Sequence, residues 1–431
     1  MKPATATSPP WSPAHLLAFR FFFVYWLLYL FPGPLAALPG TDWLTALVAD
    51  GWNALVPWFG HHVLGIEDPI NTFQTGSGDR LFDYLAALLT VSISLAGAGF
   101  WSLLDRKRSN YDRLVDGHWI WVRYGLGVIL ITYGMIKIIK LQFPYPTDGR
   151  LIEPIGESSP MGLLWTFMGY STPYNSFVGT AEALAGFLLF FRRTTVLGAC
   201  LAVGVMLNVV LLNFCYDVPV KLFSSHLLLM AVYLLVPHGR RLLACFLSYQ
   251  PVPARARRRP YVWRRLERAR PIVTGLFIAW LMYDQTSSLL AMKDSARASQ
   301  ANLVLAGLYH VEEAAKDGRD RPPLTTDEDR WHLVAFSVYK GGGSCLVRRM
   351  DGTMEYYWST IDLEAKTLTL RERAPGTRTL ELTYRRLDGD SLHLQGEAEG
   401  HPMSFGLRRT ERSFPLSERR FRWIQEAPYN R

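Results

Sequence analysis

The sequence predicts an α-helical polytopic membrane protein followed by a C-terminal antiparallel all-β domain, either a small barrel or a sandwich. Two observations carry this prediction: long apolar runs fill the first two thirds of the 431 residues, and short alternating segments fill the last third. The overall hydrophobic content of 49% would suit a soluble protein. This overall hydrophobic content is uninformative because it averages an apolar first two thirds with a more polar last third.

About seven segments are long and apolar enough to cross a membrane, since roughly 20 helical residues span the hydrocarbon core. The predicted spans are residues 19–38, 81–104, 119–141, 174–191, 195–216, 222–236 and 272–292. The first contains "FPGP", and its "PLAALPG" could be read as a signal-peptidase site. The near absence of charge before this segment argues against cleavage.

Orientation follows from the short loops in which Lys and Arg gather. These are "DRKRSNYDR" after the second span, Arg192 and Arg193 after the fourth, and an Arg-rich stretch after the sixth. One topology places all three in the cytoplasm, with the N-terminus inside and the β-domain outside (periplasmic or extracellular) of a bacterial cytoplasmic membrane. The net charge of +9 is then explained by topology and anionic lipid, and no nucleic-acid partner is predicted.

The tail alternates apolar and polar residues in segments such as "RWHLVAFSV", "TMEYYW" and "RTLELTYRR". About seven such strands are enough for a sandwich or an up-and-down barrel, and a barrel would leave no exposed edge. Asp351 and Gly352 favour a tight hairpin, and "KGGGS" at 340–344 is interpreted as a hairpin loop. Strand number alone also suggests a lipocalin-like pocket.

The four cysteines predict no disulfide. Cys200, Cys215 and Cys245 lie in or beside the membrane region, Cys345 is alone in the outer domain, and no Cys-x-x-Cys or zinc spacing occurs. A single thiol in an oxidising compartment is either buried or open to intermolecular pairing. We expect Cys345 to be buried.

Two opposite charges fall at one depth on consecutive antiparallel spans. At a rise of 1.5 Å per residue, Lys137 lies about 10 Å and Glu182 about 12 Å below the outer end of its helix. Such an arrangement would compensate both groups. Gly179 and Gly186 flank Glu182, and small residues permit close helix approach.

Further polar residues also fall in the outer half of their spans or at its boundary. They are Lys140, Asn213, Asp217, Lys221, His226 and Asp284. Because ionisable residues inside a membrane are candidate functional groups, we predict that these six, with Lys137 and Glu182, make ligand or proton contacts. Catalytic residues are not predicted.

Structural interpretations of the same residues stay open. Lys140 and Lys221 could snorkel to the interface, and the Lys137–Glu182 pair could serve folding alone. For His226 a packing role is favoured, because one histidine without Cys or His at ligand spacing does not make a metal site. No metal site is predicted.

Two stretches resemble the DoxX family of small bacterial membrane proteins: "RYGLGVILITYGMIKIIKL" and "GTAEALAGFLLFFRRTTVLGACLAVGVMLN". The resemblance covers residues 118–238 and implies a four-helix core made of spans three to six. It also implies quinone-linked redox chemistry, such as that of a thiosulfate:quinone oxidoreductase subunit or a redox homeostasis complex. The motif positions are Arg123, Gly134, Lys137, Gly179, Glu182 and Gly186.

This chain departs from the DoxX build in having two extra N-terminal spans, a seventh span and the β-domain. Its ending, "FRWIQEAPYNR", is similar to the tails of longer DoxX-like proteins. The predicted division is 1–117 with two spans and an outer loop, 118–238 as the DoxX-like core, 239–270 as the Arg-rich cytoplasmic loop, 271–292 as the last span, and 293–431 as the outer β-domain.

Two functions remain after motif analysis. No P-loop, dinucleotide fingerprint, nucleophile elbow, His-Glu-x-x-His or haem-attachment motif occurs, so no intrinsic cofactor is predicted. In the first reading the protein is an oxidoreductase-associated subunit, with quinone as candidate ligand and an outer redox partner. In the alternative it is a non-enzymatic envelope protein that binds lipid or a small molecule, with the β-domain as an interaction module.

Overall fold

The computed structural model describes residues 10–247, 264–301, 305–339, 342–373, 378–398, 400–419, 423 and 425–426. The centre of the Arg-rich loop, the start of the "KGGGS" loop and most of the "FRWIQEAPYNR" ending lie outside them. The chain divides into two compact units. The first contains residues 1–140 and 173–287, and the second contains residues 141–172 and 288–431.

Thirteen α-helices occur in the described residues. In chain order they are α1 (Pro13–Leu30), α2 (Gly33–Ala36), α3 (Asp42–His62), α4 (Leu81–Leu104), α5 (Asp112–Ile138), α6 (Asp148–Ile152), α7 (Pro160–Tyr170), α8 (Thr172–Phe190), α9 (Thr195–Cys215), α10 (Lys221–Leu235), α11 (Gly239–Phe246), α12 (Arg264–Ala301) and α13 (Pro415–Glu418). Short 3-10 turns follow α6 and α10, at Ile155–Glu157 and Val236–His238.

Five helical segments among the described residues are long and apolar enough to cross a membrane. They are Pro13–Ala36, Leu81–Leu104, Leu114–Ile138, Thr195–Cys215 and Lys221–Phe246. These correspond to five of the seven predicted spans and indicate a membrane protein.

The structure does not confirm the count of seven spans. The remaining two, 174–191 and 272–292, form α8 and α12, which are helical but are not among the five apolar segments. In α8 the cause is compositional, because Asn175 and Glu182 interrupt its apolar residues. In α12 the first turns are rich in arginine, and the helix continues to Ala301, past the predicted boundary at 293.

Two segments predicted as loops are helical. Residues 42–62 form α3, which packs Val56 and Phe59 against Phe82, Leu85 and Leu89 of α4. The stretch between spans three and four forms α6 and α7 and belongs to the second unit. The apolar pattern of both segments is short or interrupted by glycine and proline, so periodicity alone does not reveal them.

The β-domain is a closed antiparallel barrel of eight strands, which excludes the sandwich. Its strands are β1 (Gly307–Lys316), β3 (Trp331–Tyr339), β4 (Gly342–Arg349), β5 (Met354–Asp362), β6 (Thr367–Glu372), β7 (Thr379–Arg386), β8 (Ser391–Ala398) and β9 (His401–Arg409), with the two-residue β2 (Arg319–Asp320) extending the end of β1. Sequential neighbours pair, and β1 pairs with both β3 and β9. The predicted set of about seven strands omitted β1, the strand that closes the barrel.

The hairpin predicted at Asp351 and Gly352 is present. It joins β4 to β5, and Gly352 has a φ of +97°, a backbone conformation that glycine adopts without steric cost. The side chain of Asp351 accepts a hydrogen bond from the backbone N–H of Thr353 at 2.9 Å. Local turn chemistry therefore fixes the register of these two strands.

Side chains fill the barrel interior. Trp331 and Phe405 stack with ring centroids 4.3 Å apart, and both belong to a buried core that includes residues from all eight strands. The cavity beside them has a volume of about 10 Å³, room for about one water molecule. The hypothesis of a lipocalin-like pocket is therefore wrong.

Cys345 is buried among these core residues, as predicted, with 1% of its surface exposed. Burial raises the pKa of its thiol, since the thiolate would lose its hydration in the apolar interior. The thiol therefore stays protonated at neutral pH, and the thiolate needed for nucleophilic reaction is absent.

One face of the barrel is covered by α6. Ile152 is buried against Leu308, Leu333 and Leu346, which point outward from β1, β3 and β4. The register of β3 shifts between Trp331 and Leu333, so that Trp331 enters the core while Leu333 faces α6. The second unit is therefore built from two stretches that are distant in the sequence.

A buried arginine, Arg330, binds backbone carbonyls of the barrel near β1. Arg330 is 2% exposed, and its guanidinium donates hydrogen bonds to four backbone carbonyls. The acceptors are Arg321 at 2.8 Å, Trp331 at 3.2 Å, Val311 at 3.3 Å and Glu312 at 3.2 Å. One side chain thus joins the β1 backbone to the segment that leads into β3.

We expect Arg330→Met to destabilise the barrel by about 2–4 kcal/mol, because the buried carbonyls lose their donors while the apolar stem is retained. Hydrogen exchange of β1 and β3 amides, with thermal unfolding of the full chain, measures the effect. Arg385→Met, at an exposed position on β7, is the control. Equal protection in both variants would contradict the proposed role of Arg330.

The thiol of Cys345 should resist maleimide in the folded protein and react only after denaturation. A cysteine added to the barrel by Glu381→Cys, at an exposed position on β7, should be labelled at least about a hundredfold faster than Cys345. Mass spectrometry of peptides after timed labelling separates the two sites. Comparable native rates would show that Cys345 is not buried.

Candidate functional site

Helices α5 and α8 approach closely at glycines spaced seven residues apart on each helix. A Cβ on Gly134 would lie 2.5 Å from the carbonyl oxygen of Gly179, and a Cβ on Gly179 would lie 2.6 Å from that of Gly134. A Cβ on Gly186 would lie 2.7 Å from the carbonyl oxygen of Gly127. No larger residue fits at these positions without moving a backbone, so the helices are in direct main-chain contact.

The crossing brings Lys137 and Glu182 together. Each follows a crossing glycine by three residues, which places it on the same helix face. Lys137 Nζ lies 2.6 Å from Glu182 Oε2, and the two side chains are only 7% and 3% exposed. The pairing that their matching depth suggests is therefore present, while a role in ligand or proton contact stays a prediction.

Asn175, which the sequence analysis did not select, extends this site. Its Nδ2 donates to the backbone carbonyl of Lys137 at 3.2 Å, and the residue is fully buried. Its Oδ1 accepts no hydrogen bond from the described residues. The sequence contained the information needed to select Asn175, because this residue lies seven residues before Glu182 and therefore on the same face of α8.

An aromatic residue borders the pair. The ring of Tyr133 lies 5.7 Å from Lys137 Nζ, within the range of a cation–π contact. The same ring packs against Phe223 of α10 with centroids 5.8 Å apart. The site therefore combines an ammonium, a carboxylate, an amide oxygen and an aromatic face.

Arg123, the first motif residue, lies away from the pair. Its guanidinium donates to Thr195 Oγ1 at 3.1 Å and to the carbonyl oxygen of Phe190 at 3.4 Å. It therefore ties α5 to the turn between α8 and α9. Fourteen residues separate it from Lys137, about 21 Å along the helix.

Asp217 and Lys221 form a separate group with Asp79, a residue that the sequence analysis missed. Lys221 Nζ lies 2.8 Å from Asp217 Oδ1 and 3.7 Å from Asp79 Oδ2. The Asp79 carboxylate also accepts from the backbone N–H groups of Lys221 and Leu222, both at 2.9 Å. A carboxylate at a helix N-terminus is stabilised there, so this group caps α10.

His226 has hydrogen-bond partners on both ring nitrogens, which supports the packing role favoured from the sequence. Its Nε2 lies 2.5 Å from the hydroxyl of Tyr25, and its Nδ1 lies 2.7 Å from the carbonyl oxygen of Leu222. The ring of Tyr29 stacks on it with a centroid distance of 4.4 Å. The described residues contain no cluster of three or more potential metal-ligating side chains.

The other predicted site residues have local partners. Asn213 donates to Ser224 Oγ at 3.0 Å, which joins α9 to α10. The Asp284 carboxylate accepts from Gln285 Nε2 at 3.5 Å, and its backbone carbonyl accepts from Ser287 Oγ at 3.0 Å, both on its own helix. Lys140 follows α5 with a φ of +65°, and its backbone N–H donates to the carbonyl of Lys137. The residues predicted to make ligand or proton contacts therefore belong to several separate hydrogen-bonded groups.

The fold and this site define a class: a protein with membrane-length apolar helices, a buried ion pair at a glycine crossing and a C-terminal β-barrel. No protein-family model and no solved structure matches the chain. The uncharacterized protein YwoB of Bacillus subtilis (strain 168) is 33% identical over 135 residues, which cover 31% of this chain and 84% of YwoB. The chain belongs to the same family as YwoB.

Gly179→Ala should destabilise the helical unit by about 1–3 kcal/mol, because its Cβ would push against the Gly134 carbonyl. Gly204→Ala on α9 is the matched control, since nothing lies within 4 Å of its added Cβ. We expect that control to be neutral or slightly stabilising. Thermal unfolding in detergent micelles compares the two, and equal losses would argue against a close crossing.

Proposed function

We propose that the protein is a DoxX-like integral protein of a bacterial cytoplasmic membrane, acting as a quinone-associated or redox-associated subunit. The observation that carries the proposal is the buried Lys137–Glu182 pair, with the unfilled acceptor of Asn175 beside it. Intramembrane charges are costly and are kept chiefly where they serve a site or a proton path.

The chemistry of the site suits a ligand with carbonyl or hydroxyl groups. Lys137 can donate to a carbonyl oxygen, Glu182 can exchange a proton, and the Asn175 Oδ1 atom can accept a hydrogen bond from a hydroxyl. Quinone reduction consumes two electrons and two protons. In this proposal the residues supply ligand contacts and proton transfer, and a redox partner protein on the outer side supplies the electrons.

The proposal includes seven spans with the N-terminus inside. Pairing lowers the cost of Glu182, so α8 can span a membrane despite its polar residues. In α12 the apolar stretch of 272–292 follows the arginine-rich first turns, which suit a cytoplasmic end under the positive-inside rule. The β-barrel then lies outside the cell membrane and docks a partner there.

A second function is favoured by a different observation. The barrel interior is filled, so the barrel can act only through its surface or its loops. This supports a non-enzymatic envelope protein in which the helical unit binds a lipid or small molecule and the barrel is an interaction module. In that case the ion pair needs no redox role.

The test compares wild type with Glu182→Gln after purification from membranes. We expect the folded variant to hold about tenfold less quinone than wild type, or less still. We also expect its unfolding temperature to fall, because Gln keeps the shape and a hydrogen-bonding oxygen but leaves Lys137 without its charged partner. Quinones and lipids are extracted and quantified by mass spectrometry. Asp83→Asn, which weakens the Arg80–Asp83 ion pair at the start of α4, is the control.

The alternatives give distinct outcomes. Loss of a lipid with no quinone in any sample would support the envelope function. A large loss of stability in Glu182→Gln, with nothing bound to wild type, would mean that Glu182 only compensates Lys137. Breaking one partner of a buried pair costs about 3–5 kcal/mol.

A further inference from the structure

An apolar cavity of about 220 Å³ opens within the helical unit. Its wall comes from the end of α1, the middle of α5 and the start of α10. The lining residues include Tyr29, Leu30, Gly125, Val128, Ile129 and Phe223. The hydroxyl of Tyr29 is the polar group among these side chains, and the rest of the surface is hydrocarbon.

Local backbone features leave this space open. A Cβ on Gly125 would lie 2.8 Å from Leu30 Cδ1, so only glycine lets Leu30 pack against α5 at that level. Helix α1 ends at Leu30, and Phe31 takes an extended backbone conformation, so the helix does not continue across the opening. Val128 and Ile129 are too short to fill the remainder.

Water is a poor occupant of this space. The volume equals that of about seven water molecules at liquid density, but an apolar wall does not offer each of them the two to four polar partners they need. This cavity is half open, and in a membrane its mouth would face hydrocarbon; left empty, it would forfeit dispersion contacts. A hydrocarbon chain, linear or methyl-branched, would make dispersion contacts with the apolar wall and would need no hydrogen-bond partners.

Tyr133 connects the cavity wall to the ion pair. Ile129, Tyr133 and Lys137 follow one another at intervals of four residues, so each of these side chains neighbours the next on α5. Tyr133 contacts Phe223 of the cavity wall and also borders Lys137 Nζ. The distance along the helix from Ile129 to Lys137 is about 12 Å, the length of a short hydrocarbon chain.

We propose that this cavity holds the apolar chain of the ligand whose polar head contacts Lys137 and Glu182. The inference rests on the proposed function and adds the ligand class: an amphiphile with a flexible hydrocarbon chain of at least about 12 Å. A long-chain quinone and a membrane lipid share this chemistry. A small polar solute does not.

The experiment uses a matched pair of cavity-filling variants. Val128→Phe places a ring in the cavity, whereas Val232→Phe makes the same change at a position on α10 that is 42% exposed. Val128→Leu adds a single carbon and gives a milder filling. Thermal unfolding confirms that each variant folds.

Delipidated proteins are incubated with three probes: a quinone bearing a long isoprenoid chain, the same quinone ring without the chain, and a phosphatidylglycerol. Native mass spectrometry measures how much of each is bound. For the long-chain ligand we expect a loss of about tenfold in Val128→Phe, a smaller loss in Val128→Leu and none in Val232→Phe. The chainless ring should be unaffected, and the probe that wild type retains identifies the source of the chain.

Glu182→Gln, measured in parallel, separates this inference from the proposed function. If Glu182→Gln loses the ligand and Val128→Phe retains it, the cavity is not the chain site and the inference is overturned. If Val128→Phe loses the ligand and Glu182→Gln retains it, the cavity inference stands and the role of the ion pair fails. Retention by both overturns both.

Discussion

The main-chain contact between α5 and α8 is the constraint on which the helical unit depends. A buried charge loses its hydration, so the buried Lys137 and Glu182 side chains compensate each other by pairing. They can meet at 2.6 Å because Gly134 and Gly179 let the backbones touch one turn away. The glycine contact and the ion pair therefore depend on each other, because the close approach of the helices brings the two charged side chains within pairing distance.

The barrel satisfies its polar groups by a different route. Its strands exchange hydrogen bonds around a closed circle, which leaves no edge, and its interior is packed with side chains. Arg330 donates hydrogen bonds to carbonyls of β1 and of the segment that leads into β3. In both units many buried polar atoms are paired by short-range contacts, and Asn175 Oδ1 at the candidate site is one of several buried side-chain atoms among the described residues that have no hydrogen-bond partner.

Properties that depend on local pattern were predictable from the sequence. The length of the apolar runs predicted the five membrane-length helices, and the alternation of apolar and polar residues predicted most of the strands. The helical rise per residue placed Lys137 and Glu182 at similar depths below the outer ends of their helices. Features that depend on distant contacts were not predictable. Strand β1 closes the barrel by pairing with β9, nearly a hundred residues later in the sequence. The hydrogen bonding of the group that contains Asp217 and Lys221 depends on Asp79, which lies in a loop far from them in the sequence. The cavity arises from three helices and has no signature in any one of them.

The docking of α6 on the barrel has a consequence for biosynthesis. Ile152 leaves the ribosome well before its partners Leu308, Leu333 and Leu346 have been synthesised. At about 5–20 residues per second, the intervening chain takes on the order of ten seconds or more to appear. During that interval the apolar face of α6 has no strand to cover it and must be sheltered by lipid or a chaperone. The second unit can therefore finish folding only after the C-terminal strands have been translated, even if the apolar helices insert earlier.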